Sequence, residues 1–212
     1  MKPLLCYVTD RHALAEPSKL AEHVALAIAA GIDRIQIREK DLPARELVTL
    51  TRAAVKVAAS GTHTRTQIIV NDRLDVALAS GADGVHLGEA SLPVAAVHAW
   101  RRETPAQRFT IGASCHSIEA ARAAERDGAD YVIFGPIYLT PSKIKFGAPQ
   151  GINRLEEVSR AVRIPVLAIG GITEENAAEC VAAGASGIAA IRMFSDARDL
   201  AALVGRVRSA RK

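Results

Sequence analysis

Four stretches of the chain repeat one short pattern: Gly31-Ile-Asp-Arg-Ile-Gln-Ile-Arg38, Gly81-Ala-Asp-Gly-Val-His-Leu-Gly88, Gly128-Ala-Asp-Tyr-Val-Ile-Phe-Gly135 and Gly184-Ala-Ser-Gly-Ile-Ala-Ala-Ile191. Each follows an alanine-rich helical stretch and opens with a glycine, the residue best suited to the left-handed turn just past a helix end. Each then runs into a short apolar strand. Between them lie further strand candidates: Leu4–Val8, Gln67–Val70, Phe109–Gly112 and Ile164–Ile169. Interleaving the two sets gives eight strands.

The intervening segments read as amphipathic helices: Ser18–Ala30, Ala44–Ala59, Pro93–Arg102, Ser117–Arg126, Gly151–Ala161, Glu174–Ala183 and Ala197–Arg208. Alternating strands and helices imply parallel strands. Eight such units in 212 residues predict an α/β fold, a single (β/α)8 TIM barrel occupying residues 1–212 as one domain, in preference to an open doubly wound sheet.

Composition agrees with that reading. Apolar residues make up 49% of the chain and aromatics only 4%, as expected for buried parallel strands wrapped in alanine-rich helices. The net charge of +4 is scattered, and the basic run Arg206 to Lys212 reads as a solvated helix end, so no nucleic-acid partner is expected. No apolar stretch approaches the ~20 residues that span a bilayer, and no membrane association is expected. Cys6, Cys115 and Cys180 are far apart and have no metal-ligand spacing, which predicts reduced thiols and a cytoplasmic location. A homo-oligomer is compatible with all of this.

In such barrels the active site is built from the loops at the C-terminal ends of the strands. Strand 1 ends in Thr9-Asp10-Arg11, a helix-initiating turn. Strand 2 carries Gln36, Arg38 and Lys40, two residues apart and so on one side, with Glu39 and Asp41 on the other. Inward-facing cations need an anionic partner. A phosphate-rich ligand supplies one, and a salt-bridge ladder with the neighbouring acids is the competing reading. Asn71-Asp72 after strand 3 either caps a helix or places a carboxylate where Mg2+ would sit.

His86 is either a core histidine or a site residue, and Glu89 either a loop acid or a metal or base residue. After strand 5 come Ser114, Cys115, His116 and Ser117. Ser117 reads as a helix N-cap, His116 as a proton-transfer group at the mouth, and Cys115 as no nucleophile. The long loop after strand 6 holds Thr140, Ser142 and Lys143, donors suited to an oxyanion. Gly170 and Gly171 follow strand 7, where these barrels commonly bind phosphate on backbone N–H groups. Arg192 is a phosphate ligand or a rim residue.

Taken in order, Gln36-x-Arg38-x-Lys40, Asn71-Asp72, His86-Leu-Gly88, Gly112-x-Ser114-x-His116-Ser117, Gly135-Pro-Ile-Tyr-x-Thr140-x-Ser-Lys143, Ala148-Pro-Gln-Gly151 and Ile169-Gly-Gly-Ile172 resemble thiamine phosphate synthase over nearly the whole chain. The related thiazole tautomerases share much of the pattern. The resemblance implies a transferase of thiamine biosynthesis. It joins hydroxymethylpyrimidine diphosphate to thiazole phosphate through an ionised pyrimidine cation and releases diphosphate. It also implies that Gln36, Arg38, Lys40, Asn71 and Lys143 hold the diphosphate and that Asp72 binds Mg2+. Ser114 and Thr140 would contact the pyrimidine and phosphate groups, and Gly170 and Gly171 would hold the thiazole phosphate. Lys143, Arg38 and His116 are the expected catalytic groups.

Two departures separate this chain from the synthase pattern. Gly88-Glu89-Ala90-Ser91 stands where synthases have Gly-Gln-x-Asp, so a second metal ligand is replaced by Ser91, and Arg192-Met193-Phe194 replaces a Ser-Ala-Ile run. Ser91 favours a tautomerase acting on carboxythiazole phosphate, with His116 moving the proton, or a non-catalytic regulator that binds thiazole phosphate. The intact Gln36, Lys40 and Asn71-Asp72 favour the synthase.

Overall fold

The computed structural model describes residues 2–60, 66–104, 108–139 and 148–209. Eight strands close into a parallel barrel in sequence order: β1 (Leu4–Val8), β2 (Arg34–Ile37), β3 (Gln67–Asn71), β4 (Gly84–Leu87), β5 (Thr110–Cys115), β6 (Tyr131–Phe134), β7 (Val166–Ile169) and β8 (Gly187–Ala190), with β8 pairing back onto β1. The helices are α1 (Leu20–Ala29), α2 (Ala44–Ser60), α3 (Leu74–Ser80), α4 (Val94–Glu103), α5 (Ile118–Arg126), α6 (Gly151–Ala161), α7 (Ala177–Ala182), α8 (Arg192–Ser195) and α9 (Leu200–Ser209). The expected barrel is present. One helix, α3, was not singled out by the sequence, and residues 192–195 form a short helix after β8.

The repeated pattern has a double purpose. Its glycines, Gly31, Gly81, Gly128 and Gly184, all have positive φ, between 70° and 100°. In every case the next residue donates its N–H five residues back: Ile32 to Ala27, Ala82 to Ala77, Ala129 to Ala124 and Ala185 to Cys180. That bond closes the preceding helix. The third residue then stitches the base of the barrel. Asp83 accepts the Ile68 N–H on its Oδ2 at 2.8 Å and returns its own N–H to the Ile68 carbonyl. Asp130 does the same for Ile111. Asp33 accepts the Leu5 N–H at 2.8 Å, and Arg208 of α9 reaches the same carboxylate. In the fourth copy Ser186 keeps the backbone bond to the Val166 carbonyl but has no carboxylate to offer.

Alternate strand residues face outward into one continuous core beneath the helices, including Ile35, Ile37, Ile68, Val70, Val85, Leu87, Ile111, Val132 and Ile188, each at most 2% exposed. Burying each such side chain contributes about 1.5–3 kcal/mol. The barrel interior is divided. Cys6, Val8, Ile133, Leu167 and Ala189 pack with Tyr131, and Leu4, Ile169 and Ile191 border them. Arg34, Gln36, Gln67, His86 and Thr110 make the side formed by β2 to β5 polar. Function therefore belongs on that polar side and at the mouth above it.

Candidate active site

On β2 the alternation brings Gln36 and Arg38 to the interior and mouth, while Glu39 turns away. Glu39 is buried. It accepts the Thr9 hydroxyl at 2.6 Å and the Arg11 N–H at 3.0 Å, and lies 3.4 Å from the Arg11 guanidinium. Arg11 also holds Asp41 through two bonds of 2.6 Å, and His12 adds a contact to Asp41 at 3.1 Å. This pairing holds the Asp41 carboxyl well below the usual carboxylate range. The residue expected only to begin a turn thus captures both acids; the turn is present too, with Asp10 capping the His12 N–H. Arg38 and Lys40 make no ion pair among the described residues, so the salt-bridge ladder does not form.

Gln36, 3% exposed, donates from Nε2 to Asn71 Oδ1 at 2.8 Å, and its Oε1 is buried with no partner among the described residues. The pair forms because Asn71 is the last β3 residue and β2 and β3 run in register. The Asn71 and Asp72 side chains do not cap α3, which has no side-chain cap. Asp72 is exposed at the rim with φ of 69°, and its N–H bonds the His86 carbonyl. Ser91 accepts the Gly88 N–H on Oγ at 2.7 Å, so it closes the turn after β4. Glu89 lies 3.9 Å from His116 Nε2. The hard-oxygen donors at the rim are therefore the carboxylates of Asp72 and of Glu89, the latter lying towards His116, and whatever a ligand brings. That set fits a Mg2+ ion arriving with a diphosphate, which needs one or two carboxylates beside phosphate oxygens.

His86 is buried between Tyr131, whose hydroxyl is 3.2 Å from Nδ1, and Ser114, whose Oγ is 2.9 Å from Nε2. Burial first, and then the Arg34 and Arg38 cations, lowers its pKa to about 3, which keeps the imidazole neutral. His116 is half-buried at the mouth, with Nδ1 2.5 Å from the Gly135 carbonyl. That bond leaves Nε2 directed towards Glu89. Ser117 caps α5 through the Ala120 N–H at 3.1 Å, as expected. Cys115 faces the outer core, and burial raises its thiol to about 12, in keeping with its exclusion as a nucleophile.

Thr140, Ser142 and Lys143 lie outside the described residues. Gly170 and Gly171 have φ of 95° and 68° at the end of β7. A Cβ at Gly170 would come within 2.5 Å of Pro136, and one at Gly171 within 2.6 Å of Tyr138. The glycines are thus required by the strand-6 loop laid over them, which is fixed by the Ile137 N–H to the Ile169 carbonyl and the Tyr138 N–H to the Gly170 carbonyl. The short helix α8 begins directly after β8, the next strand of the barrel, and loops 7 and 8 with a short extra helix are the usual phosphate-binding part of this fold. Arg192, exposed, lines a surface groove of about 480 Å³ with Thr173, Met193, Asp196 and Arg198.

Residues missed by the sequence reading are Arg11, which captures the acids, and Arg34 and Tyr131, which support His86. Arg34 and Tyr131 stand at interior positions of β2 and β6, and their polarity was the available signal.

Comparison with known proteins adds to this geometry. Residues 5–194 match the family model described as thiamine monophosphate synthase. A protein of Roseiflexus castenholzii named thiamine-phosphate synthase is 45% identical over 193 residues, covering 91% of this chain and 81% of that one. One of the same name from Methanoculleus marisnigri is 43% identical over 202 residues, covering 95% and 92%. The solved structure of thiamine phosphate pyrophosphorylase from Pyrococcus furiosus superposes with a TM-score of 0.82 at 34% identity, covering 97% of this chain and 93% of that one.

Proposed function

This chain belongs to the thiamine monophosphate synthase family, and on that premise we propose the reaction and the roles of its residues. It is a transferase that couples hydroxymethylpyrimidine diphosphate to thiazole phosphate and releases diphosphate. The C–O bond to the diphosphate breaks with its electron pair leaving on oxygen, and the thiazole nitrogen forms the new C–N bond.

The observation that carries this reading is that Arg38 and Lys40 have no ion-pair partner among the described residues. Their acidic neighbours are engaged by Arg11, so both cations are left for an anion, on the same end of the barrel as Gly170 and Gly171. Arg38, Lys40 and Lys143 bind the diphosphate and stabilise the charge that develops as it departs. Asp72 would hold Mg2+ together with diphosphate oxygens, and the chemistry that ion supplies is neutralisation of leaving-group charge. The free atom of Gln36 is an acceptor, which suits an N–H of the pyrimidine better than a phosphate oxygen. Asn71 holds Gln36 in that orientation. Ser114 and Thr140 contact the pyrimidine and phosphate groups. The loops after β7 and β8 take the thiazole phosphate.

The position of His116 favours a second reading. With Nδ1 on a carbonyl and Nε2 towards Glu89, it suits proton transfer on carboxythiazole phosphate, the tautomerase reaction. Incubating the protein with both synthase substrates and Mg2+, beside a tube containing carboxythiazole phosphate, separates the two. Thiamine phosphate in the first tube supports the synthase, and conversion in the second tube alone overturns it. Three buried free cysteines suit a cytoplasmic setting, and among the described residues no helix is long and apolar enough to cross a membrane.

A further inference from the structure

The polar side of the barrel interior contains a chain of hydrogen bonds whose direction can be worked out. Arg34 lies with its guanidinium carbon 3.9 Å above the centre of the Tyr131 ring. Nε and Nη2 of Arg34 both donate to Gln67 Oε1, at 3.1 and 2.7 Å, and Gln67 passes a bond to Thr110 Oγ1 at 3.3 Å. No carboxylate neutralises Arg34 in an ion pair among the described residues. The Tyr131 ring can lie beneath it because position 112 is glycine: a Cβ there would be 2.2 Å from the ring.

Tyr131 is 1% exposed; the Arg34 guanidinium beside it can only donate, and His86 Nδ1, 3.2 Å away, is the hydrogen-bond acceptor its hydroxyl has among the described residues. A buried O–H without an acceptor costs about 1–3 kcal/mol, so the phenol donates to Nδ1. The imidazole, enclosed and close to two cations, carries a single proton, and that proton is then on Nε2. Nε2–H donates to Ser114 Oγ at 2.9 Å. With its oxygen receiving that bond, the Ser114 hydroxyl proton is left to point into the mouth.

We propose that Tyr131 and His86 are positioning residues that fix the Ser114 hydroxyl as a hydrogen-bond donor, so that the ligand must present an acceptor, such as a ring nitrogen, at this point. This specifies a subsite of the synthase reading and rests on it for the identity of the ligand.

The test combines spectroscopy with a double-mutant cycle. In the unliganded protein, 15N spectra assign the His86 proton to Nε2. A proton on Nδ1 overturns the proposal whether or not the protein is a synthase. Tyr131→Phe keeps the ring and removes only the donor. It raises KM for the pyrimidine substrate about tenfold, the equivalent of ~1.4 kcal/mol and of one hydrogen bond, and lowers the melting temperature by only a few degrees, so the variant stays folded under assay conditions. In the Ser114→Ala background the same change has no further effect on KM. Equal effects in both backgrounds show that Tyr131 does not act through Ser114 and overturn the proposal while leaving the synthase reading in place. Absence of thiamine phosphate from the unmodified protein counts against the synthase reading alone.

Discussion

Arg11 closes on Asp41 through two N–H···O bonds of 2.6 Å each, and the same guanidinium reaches Glu39. The consequence is felt just after β2, where Arg38 and Lys40 are left without acidic partners among the described residues. Substituting Arg11→Ala releases both acids to compete for those cations. The expected result is a KM for the diphosphate substrate raised by roughly three- to tenfold, as for a screened charge at a site rim, with little change in kcat. Steady-state kinetics at two ionic strengths checks this, and an unchanged KM at low salt refutes it.

Ser91 occupies a position where a second carboxylate would help to hold magnesium, and its hydroxyl instead closes the turn at Gly88. A carboxylate can accept the same N–H, so Ser91→Asp preserves the turn and adds charge. The Mg2+ concentration giving half-maximal rate is expected to fall about tenfold, one added charged ligand contact of ~1.4 kcal/mol. A magnesium titration in which the variant and the parent superimpose would show that Asp72 alone is sufficient.

His86 makes stability depend on acid. Its native pKa, about 3, is below the unfolded value of ~6.5, so between those limits the unfolded chain binds a proton that the native chain refuses. Stability is therefore intact above the unfolded value and is lost as pH falls from ~6.5 towards 3, by a few kcal/mol at most. Urea unfolding from pH 7 to pH 4 measures the slope. His86→Gln should remove about one proton from it. Parent and variant lines of equal slope would refute the assignment.

Gly170 carries both a positive φ and a neighbour too near to admit a Cβ. Gly170→Ala is expected to destabilise the protein by about 1–3 kcal/mol and to push the strand-6 loop away from β7. It should also weaken thiazole phosphate binding more than pyrimidine diphosphate binding. Calorimetry with separate titrations of the two ligands tests the asymmetry; equal weakening argues against a phosphate site at these glycines.

The fold was legible because its signal is local and repeated. The pattern, Gly-x-Asp three times and Gly-x-Ser once, marks a helix end and a strand start four times over, and each occurrence supports the others. Helix α3 escaped attention because it is short and begins after Arg73, with no capping side chain. The site was legible where two-residue alternation governs direction, as for Gln36 and Arg38, and where one residue caps the next helix, as at Ser117. It was not legible where the deciding partner is remote in sequence. Arg11 is about thirty residues from the acids it captures, and the bond from Tyr131 to His86 spans 45 positions. Ser91 read as a lost ligand because only the folded turn gives its hydroxyl another task.

The bonds at the base divide the barrel into quarters, each an odd strand buttoned to the even strand that follows it. Two buttons, at Asp83 and Asp130, are fastened on both sides; Asp33 holds Leu5 through its carboxylate, which Arg208 braces; the last, at Ser186, has the backbone bond and no carboxylate. Under thermal or mechanical load the seam between β7 and β8 should part first, and its amides should exchange with solvent ahead of those in the other three. The weakest quarter is also the one bearing the proposed phosphate loops, so an anion bound there would act as the missing fastener.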